Sequence, residues 1–427
     1  MKLRRLNLVT LLVCKIVIVL VVACGLSAQS EQEAVRAKAR AIHERIVTID
    51  AHVDIPFDFA TPAVDPGTRG SHQIDFPKMI EGGLDAAFFN VYVAQEERTS
   101  EAYAKAQADA HIKFNAIHRM TKTMHADRIE LATRADDVER IVRAGKLVAA
   151  IGIENGFIIG QDVSLIETYF DLGARYMGLA HAGHNDLADS STPLARFGDD
   201  EVEHGGISEL GKRAVAEMNR IGMMIDISHL SKAATLDTLR LSRAPVIASH
   251  SGVKAVANVP RNLDDEELQA LKANGGVVQA IALAAFVRLD SLEKREAILA
   301  LAEDVGARVI SGSVGPSALA ELSEENRAEY LRRRVHIDAQ WPGPGIKDYI
   351  DHIDHVVEQI GIDHIGIGSD FDGGGGIDEW NDASESFNVT HELVRRGYTE
   401  AEIRKIWSGN LLRVWRDVER MAGLIDR

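Results

Sequence analysis

Eight short apolar runs, rich in β-branched residues or in Ala and Gly, recur along this chain: "RIVTIDAH", "LDAAFFNVYV", "LVAAIGIEN", "ARYMGLAH", "MMIDISH", "APVIASH", "GGVVQAIAL" and "HIGIGSDFDG". Amphipathic segments separate many of them. Strands that alternate with helices pair in parallel, and eight such units predict a closed (β/α)8 barrel of the TIM type. A doubly wound open sheet is the alternative, but no G-x-G-x-x-G follows the first run to support it.

The segments between the runs carry helical periodicity. In "ISELGKRAVAEMNRIG" Leu210, Ala214, Met218 and Ile221 share one stripe, and Ser208 stands where an N-cap belongs. In "IKDYIDHIDHVVEQIG" the stripe is Ile346, Ile350, Ile353, Val357 and Ile360. His352 and His355 lie on the same helix and read as solvent-facing residues rather than ligands. Between the seventh and eighth runs, about 286–345, the connection is far longer than usual. It contains the charged helical stretch "SALAELSEENRAEYLRRRVHIDAQ" and then "WPGPG". Rising from the end of a barrel strand, it would serve as a lid, as the contact of a homodimer, or as a solvated decoration.

The chain has 427 residues, and its first 28 read as a targeting segment rather than as part of the fold. Basic "MKLRR" precedes apolar "IVIVLVVAC" and small-residue "GLSAQS". "VVAC" resembles a bacterial lipobox ending in Cys24, and cleavage after Ala28 is the alternative. Either implies export to the periplasm or cell envelope, with membrane attachment only through a lipid on Cys24. Both cysteines, Cys14 and Cys24, fall in this segment, so the remainder must be stabilised by its core rather than by disulfides. Loss of Lys2, Arg4, Arg5 and Lys15 would move the formal charge from −16 to −20, which argues against a nucleic-acid partner. With no linker or repeat in sight, residues 29–427 are expected to form one catalytic domain.

The chemistry is suggested by what stands at the ends of the runs. Residues i and i+2 of a strand share a face, so His52 and Asp54 project together. Glu154, His181, His229, His250 and Asp370 close five more runs, and in a barrel all these ends converge on one mouth. Core packing does not explain six strands that each deliver a titratable group there, because every buried polar group needs a partner. A metal site does. Imidazole and carboxylate suit zinc. His52 and Asp54 fit one ion, His229 and His250 a second, and Glu154 bridges them; two such ions, roughly 3.5–4 Å apart, activate water and polarise a carbonyl. Asp370 is left for proton transfer.

"DAHVDIP", "IGIENG", "RYMGLAH", "MIDISH", "APVIASHSGV", "PRNLDDEEL", "GIGSDFDG" and "GNLLRVWRDVE", in this order, resemble the membrane dipeptidase (renal dipeptidase) family of zinc peptidases from about Ile46 to Glu419. The resemblance implies a barrel of the metal-dependent amidohydrolase kind with two Zn2+ per chain. It gives His52 and Asp54 to one zinc, Glu154 to both, and His229 and His250 to the other. It further implies that His181 steadies the oxyanion, Arg261 of "PRN" contacts the substrate carboxylate, and Asp370 is the acid/base. Asp372 reads as a turn residue before the glycine run. Phe286 falls where a family member has a substrate-contacting tyrosine, and with the long insertion it bears on specificity.

The expected activity is hydrolysis of small dipeptides with a free C-terminal carboxylate, including those ending in a D-residue. A barrel hydrolase of N-acyl amino acids or lactones is the rival enzyme, and a non-catalytic binding protein the rival of another class. The complete set of metal-capable residues with Asp370 argues against the latter.

Overall fold

The computed structural model describes residues 30–307, 309, 318–319 and 321–423. The expected targeting segment at 1–28, including Cys24, lies outside the described residues. All eight predicted strands are present: β1 (Ile49–Val53), β2 (Ala86–Tyr92), β4 (Leu147–Glu154), β5 (Ala174–Gly178), β6 (Met224–Asp226), β7 (Ile247–Ala248), β8 (Val277–Ile281) and β9 (Ile365–Gly368). A short additional strand, β3 (Ile129–Leu131), pairs with β4 outside the barrel path. Every ladder is parallel, in the order β1-β2-β4-β5-β6-β7-β8-β9. The circle is drawn together between its first and last strands. Val53 bridges Phe371, Asp54 N donates to Phe371 O at 2.8 Å, and Asp370 N donates to His52 O at 3.0 Å.

The period of two along β2 sorts its side chains between two cores. Ala86 and Phe88 join an inner cluster with Ile49, Val148, Met224, Ile247 and Val277, residues at the starts of their strands. Leu411, Trp415 and Val418 of the helix Asn410–Met421 belong to the same cluster and plug that end of the barrel. Ala87, Phe89 and Val91 face the outer helices in the main cluster. With its start plugged by apolar residues, the barrel is open to chemistry only at the C-terminal ends of its strands.

The helices follow the expected stripes. Ser208 caps Glu209–Ile221, accepting from Gly211 N at 3.0 Å, and Ala214, Met218 and Ile221 are buried while Leu210 is partly so. Ile346, Ile350, Ile353 and Ile360 are buried on Ile346–Ile360. His352 corrects the expectation of a solvent-facing ring. It is buried, its Nδ1 accepts from Val253 N at 2.9 Å, and its Nε2 lies 2.8 Å from Val287 O, so it pins two loops with a neutral imidazole. His355 is partly exposed and pairs with Asp265 at 2.7 Å. Within the long connection, helices Leu292–Val305 and Glu324–Gln340 pack around a separate small core of Leu301, Ala302, Val305 and Tyr330. Arg288 anchors the connection's return through Asp348 and the carbonyls of Pro342 and Gly343.

Candidate active site

A cavity of about 470 Å³ opens at the C-terminal mouth of the barrel. Its wall includes Asp54, Glu154, His181, His229, His250, Arg261, Phe286 and Asp370. His52 lies buried immediately behind it. Each of the seven metal-capable residues singled out in the sequence sits in a strand or within three residues of a strand's end. The parallel register is what gathers them.

Glu154 is the centre of the group. Its Oε1 lies 2.9 Å from His229 Nε2, 3.3 Å from His250 Nε2 and 3.6 Å from His181 Nε2, and its Oε2 lies 3.4 Å from His52 Nε2. Three sets of candidate ligand atoms lie within 4.8 Å of one another: His52, Asp54 and Glu154; Glu154, His181 and His229; and His52, His250 and Asp370. Grouping by distance therefore places His181 beside His229, and Asp370 beside His250. Two of these residues hold backbone that most side chains avoid, His229 at φ +71° and Asp370 at φ +64°. Such conformations persist where the surrounding structure enforces them, and they concentrate at active sites.

The charges in the cluster set one another's protonation. Burial works to raise Glu154, but the imidazoles of His52 and His181, with the rings of His229 and His250 close by, outweigh it and hold the carboxyl well below its ordinary range. Burial, followed by the charge of Arg261, pushes His229 far down; His250 falls likewise through burial and the charge of His52. Both are neutral and have lone pairs to give. Burial would lower His52 as well, yet the charge of Glu154 raises it to about 9, so a cation binding there must displace a proton. Asp54 is raised to about 7 by burial and by Glu154. Burial also lifts Asp370 well above the usual carboxyl range.

A layer behind the cluster fixes which ring nitrogens face the cavity. Asp226 Oδ1 accepts from Ser228 N and Ser249 N, and its Oδ2 takes the Ser249 hydroxyl proton at 2.6 Å. Having given that proton away, Ser249 Oγ can only accept at His250 Nδ1, 2.8 Å distant, which leaves His250 Nε2 as the lone pair on the cavity side. Tyr176 gives its proton to Asn90 Oδ1 at 2.6 Å and stands 3.2 Å from His52 Nδ1, so that Nδ1 keeps its proton and Nε2 is the nitrogen that a cation would meet once its own proton is displaced. Tyr176 can reach this place because β4 has Gly152 there: a Cβ would lie 2.1 Å from Tyr176 Cζ. Such partners orient the rings of metal-binding histidines.

These residues fit a bound metal. Among the described residues, His52 Nε2 and Asp54 Oδ1 are buried without a hydrogen-bonding partner. His229 Nε2 and His250 Nε2 point at each other across 2.9 Å. Imidazole nitrogens gathered this closely beside an anionic carboxylate make a donor set suited to a cation.

Several cavity residues carried no signal in the sequence reading. Tyr92 is paired in register with Glu154 across β2 and β4, and its ring centre lies 4.8 Å from that of His181. Lys113 reaches in from the helix Ser100–Arg119. Asp372 is more than a turn residue. It lines the cavity at φ +61° and accepts from Gln73 N at 3.0 Å and Ile74 N at 3.3 Å. The glycines after it are close-packed: a Cβ on Gly373 would lie 2.3 Å from Asp54 Oδ2 and 2.4 Å from Asp370 Oδ1.

A parallel barrel with buried imidazoles and carboxylates gathered at its C-terminal mouth defines the chain as a metallohydrolase. Comparison with known proteins narrows the class. The family model of membrane dipeptidase (peptidase family M19) matches residues 36–426, and the chain belongs to that family. The probable dipeptidase PvdM of Pseudomonas aeruginosa is 34% identical and superposes with a TM-score of 0.81, over 91% of this chain and 100% of that one. Dipeptidase tcpJ of Claviceps purpurea is 31% identical over 354 residues, 82% of this chain and 70% of its own length. A metallo peptidase of Rhodobacter sphaeroides, liganded with a phosphinate mimic of the dipeptide L-Ala-D-Ala, is 25% identical with a TM-score of 0.66, over 87% of this chain and 99% of that one.

Proposed function

We propose that this chain is a zinc-dependent dipeptidase that hydrolyses small dipeptides bearing a free C-terminal carboxylate, D-residues at that end included. The observation that carries the reading is the placement of Arg261 in the same cavity wall as the Glu154 cluster. Its guanidinium is buried, donates from Nη1 to Ser251 Oγ and from Nη2 to His250 O at 2.8 Å each, and keeps Nε without a partner among the described residues. A cation fixed this firmly beside the reaction centre is suited to hold a carboxylate. The ligand of the Rhodobacter sphaeroides enzyme supports both the dipeptide and the D-residue.

His52 and Asp54 would hold one zinc and His229 and His250 another, with Glu154 shared between them; imidazole and carboxylate donors favour this metal. When bound, the metal pair supplies Lewis acidity, which makes water a competent nucleophile and polarises the scissile carbonyl. Arg261 holds the terminal carboxylate. His181, a partly exposed imidazole kept neutral chiefly by burial, donates its N–H to the oxygen that becomes negative. Asp370 takes the proton from the attacking water and delivers it to the leaving amine.

With the terminal carboxylate at Arg261 and the scissile carbonyl at the cluster in one cavity, a single residue is expected to follow the scissile bond. Ala-Ala and L-Ala-D-Ala should be cleaved, and tripeptides and C-terminal amides poorly. Arg261→Ala should reduce kcat/KM on free-acid dipeptides by the equivalent of about 1.5–3 kcal/mol, with little change on the amides. Equal losses on both would remove the carboxylate role and favour an amidohydrolase of other amides.

We further propose export and lipid anchoring at Cys24, supported by the basic-apolar order of the first residues and by "VVAC". Cys24→Ser should shift the protein from the membrane to the soluble envelope fraction. Continued membrane partition of this variant would reject the anchor.

A further inference from the structure

The helix Ser100–Arg119 buries one stripe, Ala102, Ala106, Ala110, Phe114 and Ile117, and Lys113 lies buried along with them. Lys113 is 4% exposed, and it lines the cavity at the mouth of the barrel. Its ammonium makes no hydrogen bond or ion pair among the described residues. Aromatic rings flank it, with Nζ 5.3 Å from the centre of the Phe57 ring and 5.4 Å from that of Tyr92, and the carboxylates of Asp54 and Glu154 act on its charge from beyond ion-pair distance. Asp109, one turn earlier on the helix, is held by Lys105 at 3.0 Å. A buried ammonium balanced only from a distance keeps its hydrogen-bonding capacity for a ligand, and the family chemistry set out above makes no use of it.

Its position in the circle of strands says what it would meet. Lys113 follows β2 and Arg261 follows β7; β4, β5 and β6 separate these strands on one side and β8, β9 and β1 on the other. The two cations therefore approach the reaction centre from opposite sides of the barrel. A dipeptide whose C-terminal carboxylate is held at Arg261 extends its amino-terminal residue toward Lys113. The α-ammonium of that residue is repelled by Lys113, so the group able to pair with it is a side-chain carboxylate. The Phe57 and Tyr92 rings would flank the methylenes that carry it.

We propose that Lys113 is a specificity-determining residue that selects dipeptides with an acidic amino-terminal residue; the inference rests on the dipeptidase reading of the cavity. The test compares Glu-Ala with Gln-Ala and Asp-Ala with Asn-Ala, pairs that differ in charge and scarcely in shape, with Ala-Ala as the reference substrate. The wild-type protein should favour the acidic member of at least one pair by about tenfold or more in kcat/KM, the scale of a charge-assisted hydrogen bond. Lys113→Met should bring that ratio to about one, Lys113→Gln should do the same if the Met variant folds poorly, and Lys113→Arg should retain part of it. Because each ratio is taken within one variant, general losses of activity cancel. A ratio near one in the wild type, or an acidic preference that survives Lys113→Met and Lys113→Gln, overturns the proposal and leaves the dipeptidase reading standing. Failure of the metal-loaded wild type to cleave any of the five dipeptides overturns both.

Discussion

Asp370→Asn should retain bound metal and lose roughly 10²- to 10⁴-fold in kcat, the range for removing a general acid-base group. The substitution is chosen to disturb nothing else. Asparagine tolerates the left-handed backbone at φ +64°, and the Asp370 N–H to His52 O bond belongs to the main chain. The carboxyl is buried with its Oδ1 3.8 Å from His52 Nε2, close enough to the cluster to pass a proton to a bound substrate. A carboxamide of the same shape cannot. Metal analysis alongside kcat separates the outcomes. Turnover near the wild-type rate would remove Asp370 from the chemistry, whereas loss of metal would make it a ligand, as its grouping with His52 and His250 within 4.8 Å allows.

Glu154→Gln should be the more damaging change at the level of metal binding. Wild-type protein is expected to hold two zinc ions per chain. Glu154 is the group that His52, His181, His229 and His250 all approach within 3.6 Å, so its charge is shared by the whole cluster. Outer partners of metal ligands are worth roughly 10- to 100-fold in affinity, and a shared carboxylate ligand should exceed about 100-fold. Dialysis against a chelator followed by elemental analysis would then find fewer than two ions, with dipeptide hydrolysis lost in proportion. Two ions retained at unchanged affinity would exclude Glu154 as their bridge.

The barrel and the gathering of its polar residues were legible because both follow from local rules. An apolar run that ends in His, Asp or Glu declares a strand and its C-terminal end together, and the parallel register does the rest. β3 escaped because three residues are too few to establish a period. His352 was misplaced because patterning assigns a histidine to water, whereas here the Val253 N–H and the Val287 carbonyl satisfy both ring nitrogens inside the core. The same habit concealed Lys113 on a buried stripe. Asp50 and Asp226 were readable in part. Asp50 lies two residues before His52, hence on its face of the strand, and Asp226 ends the strand that leads to His229. That Asp226 acts through Ser249 on His250 depends on a partner in another strand, which a single sequence does not reveal.

The seam between β1 and β9 also decides when the protein can begin to work. Asp50 Oδ1 accepts from Ser369 N at 2.9 Å across 319 residues of sequence, and His52 and Asp54 meet Asp370 and Gly373 over the same join. The first of these residues are thus made early in synthesis and Asp370 near its end. A nascent or truncated chain has no assembled centre, whatever metal surrounds it, until its last strand has closed the circle. Contacts of such long sequence separation form slowly. Activity in this molecule is therefore a late report on completed folding.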